Sequence, residues 1–517
     1  MALYRDRAVP SPTKETVKQL SDKLGFQLDD SAIADYQEAL SRCLEDFDKI
    51  LDIPDCKLPV KYPRTPGYRP TREENSHNAW FWKCEINGAA LGKLRGKRIV
   101  IKDNICVAGI PMSMGSHSLP GYVPDEDATV VTRVLDAGGT IVGKAVCEEL
   151  SISGSSFTAA TGPVMNPLDN RRETGGSSSG CGALLASGEV DMAIGGDQGG
   201  SVRHPSSRCG LVGLKPTYGL VPYTGACPCE VSLDHLGPMA RSVKDVSLLL
   251  EVIAGYDEGR DVRQSQLHRH GQLSYSQLLN GDISGIRIGL LREGFGHQNS
   301  EEDVDRIVKE ASIRLAERTG HEVVGISVPM HLQGSALLTA ISCIGGRRVL
   351  HDGNGFGMSA KGHYSTSLHH ALSNGMRPGR NSLSSEVKLG VLLGEYLHES
   401  SRDVYYSKAQ NLAMKLGRDY DDALTKADVL VMPTNPMKAR LLPTKETSVK
   451  DLLGKYGGHN INTCPFDLTG HPALSINAGL SDGLPVGLMI VGKKYDEETI
   501  LRVAYAFESI RDKTLPQ

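Results

Sequence analysis

Glycine crowds residues 175–217 so densely that no simple helical or strand period survives there, and this stretch constrains the chain more than any other. It reads Gly175-Gly-Ser-Ser-Ser-Gly180, then Gly195-Gly-Asp-Gln-Gly-Gly-Ser201-Val-Arg-His-Pro205, then Gly213-Leu-Lys-Pro-Thr217. Across the whole chain glycine fills 57 of 517 positions, against a usual share of roughly 7%. The glycines follow no G-X-Y period and sit among varied residues, which excludes collagen and low complexity. They imply tight turns and close backbone approaches.

Each of the first two runs presents serine on a glycine-rich turn. Glycine at 199 and 200 lets neighbouring N–H groups converge on one point with no side chain in the way. Such a nest binds an anion, or the oxyanion of an acyl-transfer transition state. Three readings compete. A phosphate loop would need G-x-x-x-x-G-K-[ST], which is absent. Gly176-Ser-Ser-Ser-Gly180 matches a nucleophile elbow centred on Ser178, but an elbow follows a buried strand, and residues 169–174 read as a polar loop. The third reading is a serine nucleophile activated by something other than histidine. Taken alone, a serine in such a turn is a turn or capping residue, and a lysine closing the run Arg98-Ile-Val-Ile-Lys102 is an exposed strand end.

The surroundings predict an α/β protein. Residues 16–24 and 31–51 have helical spacing, the second capped by Asp30 or Ser31, and residues 52–75 read as a connecting loop. Residues 98–102 form a buried strand. Asp127 caps a helix over 128–137 that ends at Gly138-Gly139, and residues 140–144 return as a strand. Further strands are expected at 285–291, 321–328, 428–432 and 484–492. A helix capped by Ser300 and Asp303 runs to Arg318, residues 330–420 are mostly helical with breaks at 352–357 and 374–379, and a helix over 497–511 closes the chain. This gives an N-terminal helical extension (1–75), a core (76–299 and 396–517) and an inserted small domain (300–395) shaping the substrate pocket.

Composition excludes several classes. Lys and Arg number 57 against 61 Asp and Glu, a net charge of −4, so no basic excess is available for nucleic acid. No apolar run reaches the roughly 18 residues of a membrane span, and the first residues lack the apolar core of a secretory leader. Eleven irregularly spaced cysteines suit reduced thiols in a cytoplasmic enzyme. Cys227-Pro-Cys229 lacks the further ligands a metal site needs and reads as structural, so neither a metal nor a cofactor is expected.

The compound pattern Gly175-Gly-Ser-Ser-Ser-Gly, Gly195-x-Asp-x-Gly-Gly-Ser-x-Arg-x-Pro and Gly210-x-x-Gly-x-Lys-Pro-Thr closely resembles the amidase signature family. Val100-Ile-Lys-Asp-Asn104, Asn166-Pro167, Asp234-His-Leu-Gly-Pro238 and Phe466-Asp-Leu-Thr-Gly-His-Pro-Ala473 extend the resemblance over roughly residues 65–510. It is most similar to the stand-alone bacterial amidases with an N-terminal helical extension. The resemblance implies a large mixed β-sheet surrounded by helices, and a Ser–cis-Ser–Lys triad. That triad falls on Ser201, Ser177 and Lys102, with a cis peptide between Gly176 and Ser177. The 24-residue separation of the serines fits the family's pattern and so selects Ser177 over Ser178 or Ser179.

In the implied mechanism, Lys102 is a neutral base because its apolar strand disfavours charge. Ser177 relays a proton from Ser201, which attacks the amide carbon to form an acyl-enzyme. Backbone N–H groups of Gln198, Gly199, Gly200 and Ser201 form the oxyanion hole. Asp197 and Arg203 make a charge-assisted pair supporting the loop, with Ser178 and Thr174 bonding locally. His204 adjoins the nucleophile but the triad does not require it. Ser151, Phe157 and Ser177 are the expected substrate contacts. The implied function is hydrolysis of a small carboxamide by a homodimer. The alternatives are an acyltransferase using the same acyl-enzyme, or the A-type component of a glutamine-dependent amidotransferase.

Overall fold

A computed structural model describes residues 9–264, 274–353, 361–454 and 458–511, and for 377–380 the backbone alone. The chain divides into two units, Met1–Lys57 and Leu58–Gln517. The division therefore falls ahead of the proline-rich 58–75 segment rather than after it.

The first unit is a pair of helices, Lys14–Leu24 and Asp30–Leu51. Thr13 caps the first, and Gly25 closes it at φ +72° by donating to the carbonyls of Asp22 and Ser21. Asp29, one residue ahead of the expected cap, accepts the N–H of Ala32 at 2.8 Å.

The second unit is built on a mixed sheet of eleven strands. In chain order the strands of this unit are β1 (Trp80–Asn87), β2 (Arg98–Lys102), β3 (Thr140–Ala145), β4 (Met165–Asn166), β5 (Asp169–Glu173), β6 (Met192–Asp197), β7 (Val212–Lys215), β8 (His235–Ala240), β9 (Ile288–Leu291), β10 (Val324–Ile326), β11 (Val429–Pro433), β12 (Ala473–Ser481) and β13 (Leu484–Val491). The sheet order is β1-β3-β2-β6-β8-β7-β12-β13-β11-β9-β10, while β4 and β5 pair separately. The helix Glu302–Glu317 packs on β11, β12 and β13, and β10 is the edge of the sheet. Residues 302–326 thus belong to the core layer rather than to an insertion.

Alternation along β2 decides where Lys102 goes. Ile99 and Ile101 join the cluster beneath the helices Thr129–Asp136 and Val243–Ile253. Val100 joins the opposite cluster, beneath the helix Ser179–Ala186, and Lys102 shares its parity. The central strands β2 and β6 run parallel, with Ile101 opposite Ile194, so Lys102 and Asp197 emerge at the same carboxyl edge. That edge is where open parallel sheets place their ligands.

Three expected caps fall elsewhere. Asp127 caps nothing; its carboxylate accepts the Ala108 N–H at 2.9 Å and pairs with Arg64, and the helix begins at Thr129 without a side-chain cap. Ser300 accepts the His297 N–H, and Asp303 binds Lys438 and Ser481. The helix Thr366–Gly379 runs through the expected break at 374–379. Of the break at 352–357, residues 354–357 lie outside the described residues.

Candidate active site

Two glycine turns and the end of β2 meet at one place. The first turn carries Ser177 and leads into the helix Ser179–Ala186, which is apolar on every side and wholly enclosed through Leu185, as a buried helix must be. Gly176 cannot be replaced without collision: a Cβ there would stand 2.0 Å from the Ser155 carbonyl oxygen. The Gly176–Ser177 peptide is cis. The second turn follows β6 and carries Ser201 ahead of the short helix Arg203–Arg208. The Ser178 N–H donates to the Ser201 carbonyl at 3.3 Å, which joins the turns.

Lys102 Nζ lies 2.7 Å from Ser177 Oγ and 3.3 Å from the Gly196 carbonyl oxygen. Lys102 and Ser177 have no exposed surface. Burial pushes the Lys102 ammonium below its ordinary pKa, because the charged form loses its hydration. Ser201 keeps 7% of its surface and faces a cavity of about 370 Å³. An amine drawn toward neutrality, a hydroxyl bonded to it, and a second hydroxyl at a cavity wall are the parts of a proton relay ending in a nucleophile.

A buried ion network fixes the Ser201 turn. Asp197 Oδ1 accepts the Gly200 N–H at 2.6 Å and Oδ2 the Val202 N–H at 3.0 Å. Arg203 donates to both Asp197 oxygens, at 2.9 and 3.0 Å, to Asp467 at 2.7 Å and to the Thr463 carbonyl at 2.8 Å. Burial works against the Asp197 carboxylate, yet the Arg203 guanidinium holds it well below the usual carboxylate range. The Gly200 N–H, expected at the oxyanion hole, is therefore turned to Asp197 instead. Gly200 sits at φ +135°, and a Cβ there would be 2.2 Å from His204 Nε2. Thr463 Oγ1 donates to the Gly199 carbonyl at 2.6 Å. Ser178 bonds the Gly196 carbonyl and N–H, and Thr174 the Gly175 carbonyl, both local contacts. Burial pulls the His204 imidazole down to about 3, so it stands neutral beside the turn.

The expected substrate contacts separate. Ser151 lines the cavity at φ +61° with Gln198, Gly199 and Ser201. Phe157 is not among the described lining residues; its N–H is drawn to Glu148 Oε2 at 2.9 Å, alongside the Thr158 N–H at 2.8 Å. Ser177 is likewise absent from the lining and stands beside Lys102.

Glu148 is not singled out by the sequence patterns above, although an acidic pair after the run 141–147, apolar but for Lys144, is a legible signal. Its N–H donates to the Ser177 carbonyl at 3.0 Å and its carboxyl accepts from Ser179 Oγ at 3.1 Å. Burial pushes that carboxyl up to about 7. Segments distant in sequence complete the cavity with Leu233, Leu338, Leu350, Met376, Val387 and Val391. Arg347, also on the wall, pairs with Glu395 at 2.5 Å and Asp352 at 2.7 Å. Among the described residues no cluster of His, Cys, Asp or Glu could hold a metal ion, and Cys229 donates to the Leu150 carbonyl.

The chain is similar to known proteins. The Amidase family profile matches residues 71–501. An enantioselective amidase of Rhodococcus rhodochrous is 44% identical over 443 residues, covering 85% of this chain and 84% of the relative. The A-type component of the glutamyl-tRNA(Gln) amidotransferase of Methanosarcina mazei is 40% identical, covering 81% and 86%. Among solved structures, the corresponding component of the Thermotoga maritima glutamyl-tRNA(Gln) amidotransferase superposes with a TM-score of 0.66 at 31% identity, covering 82% of this chain and 85% of that one. The peptide amidase of Stenotrophomonas maltophilia gives 0.63 at 27%, covering 81% and 83%. The chain is an enzyme of the Amidase family.

Proposed function

We propose that this chain is a stand-alone amidase that hydrolyses a carboxamide to a carboxylate plus ammonia or an amine, through an acyl-enzyme on Ser201. The observation that carries this reading is the 2.7 Å approach of Lys102 Nζ to Ser177 Oγ, both wholly buried, on a turn whose Ser178 N–H bonds the Ser201 carbonyl. Neutral Lys102 takes the Ser177 proton as Ser177 takes that of Ser201, and Ser201 Oγ bonds to the amide carbon. The oxyanion is received by the N–H groups of Gln198, Gly199 and Ser201, since that of Gly200 is committed to Asp197. Each such donor is worth about 2.7–4 kcal/mol. Ser177 then returns a proton to the leaving nitrogen, and water repeats the sequence in reverse.

The cavity supports an apolar acyl group. Leucine, valine and methionine side chains dominate its wall, and the Arg347 charge is engaged by Glu395 and Asp352. Segments between 334 and 395 supply much of that wall, which supports a substrate-shaping role for them. The reading extends to a cytoplasmic homodimer. All eleven cysteines are free thiols, and Phe26, Tyr36, Leu40 and Phe47 of the N-terminal unit are exposed. No described helix is long and apolar enough to cross a membrane.

A second reading, one component of an amidotransferase complex, is favoured by the relatives bearing that name. Gel filtration of the isolated chain with an ammonia-release assay on apolar carboxamides separates the two. Turnover by the chain alone supports the amidase; activity only with added partner proteins supports the other.

A further inference from the structure

We propose that a second chamber, behind Tyr223, supplies the water that hydrolyses the acyl-enzyme; this rests on the Ser201 reading above. The chamber is a recess open to solvent on one side, of about 100 Å³, room for several waters. Thr224 Oγ1, Asp234 Oδ2 and Ser365 Oγ are buried there without a hydrogen-bond partner, on residues each more than nine-tenths enclosed. Buried polar groups are normally satisfied by protein or ordered water, and two hydroxyls with a carboxyl offer the two to four partners a water needs.

Tyr223 is the partition between this chamber and the site. Its hydroxyl accepts from Gln198 Nε2 at 3.0 Å and from Asn104 Nδ2 at 3.3 Å, and donates to the Cys227 carbonyl at 3.2 Å. Gln198 is a wall of the substrate cavity. Asn104 stands beside Lys102: a Cβ on Gly196 would lie 3.4 Å from Lys102 Nζ and 3.5 Å from Asn104 Nδ2. On this side too, Gln198 Oε1 and Asn104 Oδ1 are buried without a partner. Polar atoms awaiting partners thus run from the chamber, past Tyr223, to Lys102. The substrate cavity carries unpartnered polar atoms of its own, Ser151 Oγ and His204 Nδ1, and an apolar acyl group filling it displaces the water they would hold. Hydrolysis needs one water: its oxygen bonds to the acyl carbon, its proton passes to Ser177, the bond from that carbon to Ser201 Oγ breaks, and Ser201 Oγ regains a proton.

The test is partition of the acyl-enzyme between water and hydroxylamine, which enters with the substrate, in Thr224→Val and Ser365→Ala, singly and together. Removing the hydroxyls is expected to raise the hydroxamate-to-acid ratio by about fivefold while total product formation at saturating hydroxylamine stays within about twofold of wild type. A ratio equal to wild type in the doubly substituted enzyme overturns the chamber's role. Wild-type enzyme that forms acid but no hydroxamate instead overturns the acyl-enzyme itself, and the chamber proposal with it.

Discussion

Lys102 Nζ stands 2.7 Å from Ser177 Oγ, and neither side chain reaches solvent. A lysine so placed is stabilised as the free amine. Replacing it by methionine keeps the packing and removes the base, so turnover should fall by about three orders of magnitude or more. Retention of the wild-type rate would remove Lys102 from the mechanism.

The same burial has a stability consequence with a fixed sign. The folded-state pKa of Lys102 lies below its ordinary value of 10.5, so between the two the unfolded chain binds more protons. Stability therefore rises with pH across that window, up to about 10.5. Lys102→Met should be more stable than wild type at neutral pH, and its stability should climb less steeply into the alkaline range. Denaturant titrations at several pH values check both.

Asp197 holds two N–H groups of the Ser201 turn and shares Arg203 with Asp467. Asp197→Ala leaves a buried guanidinium short of one partner, a change costing about 3–5 kcal/mol, and frees the turn. Urea unfolding should show that loss together with an inactive enzyme. Because the Asp197 pKa lies below its ordinary value of 3.8 in the fold, its contribution is present above that value and fades as pH falls below it.

A methyl group on Gly200 would meet His204 Nε2 at 2.2 Å, from a backbone at φ +135°. Gly200→Ala should cost about 1–3 kcal/mol and lower kcat more than it raises KM. Unchanged kinetics would mean that the turn tolerates displacement.

Leu338 lies against Gly199, and its Cδ2 would be 3.3 Å from a Cβ there. Leu338→Ala enlarges the cavity next to the proposed nucleophile. Relative kcat/KM should shift toward bulkier apolar amides by about 10–200-fold, the range set by one or a few methylenes. An unaltered preference would place the acyl group elsewhere.

Strands with apolar runs, such as residues 99–101 in β2 and 429–432 in β11, are legible in the sequence because those residues are covered on both faces of the sheet. β6 and β8 are not, since Gly195-Gly196 and Gly237-Pro238 carry none of the side chains that mark strands. The caps expected at Asp127 and Asp303 are polar groups that tertiary partners claim first, and Ser300 is taken locally by the His297 N–H. At the site, the resemblance to the amidase signature family points to Lys102, Ser177 and Ser201. Spacing is blind to the capture of the Gly200 N–H by Asp197, to the pull of Glu148 on Phe157, and to the place of Tyr223 behind Gln198. Those follow from contacts that only the folded chain makes.

The central claim is that Ser201 carries the acyl group. Quenching the enzyme during turnover of an apolar carboxamide and mapping peptides by mass spectrometry tests it most directly. The predicted result is an added acyl mass on the peptide containing Ser201, absent in Ser201→Ala, which also loses turnover while keeping its thermal stability. An adduct on another residue, or wild-type turnover by Ser201→Ala, would contradict the account.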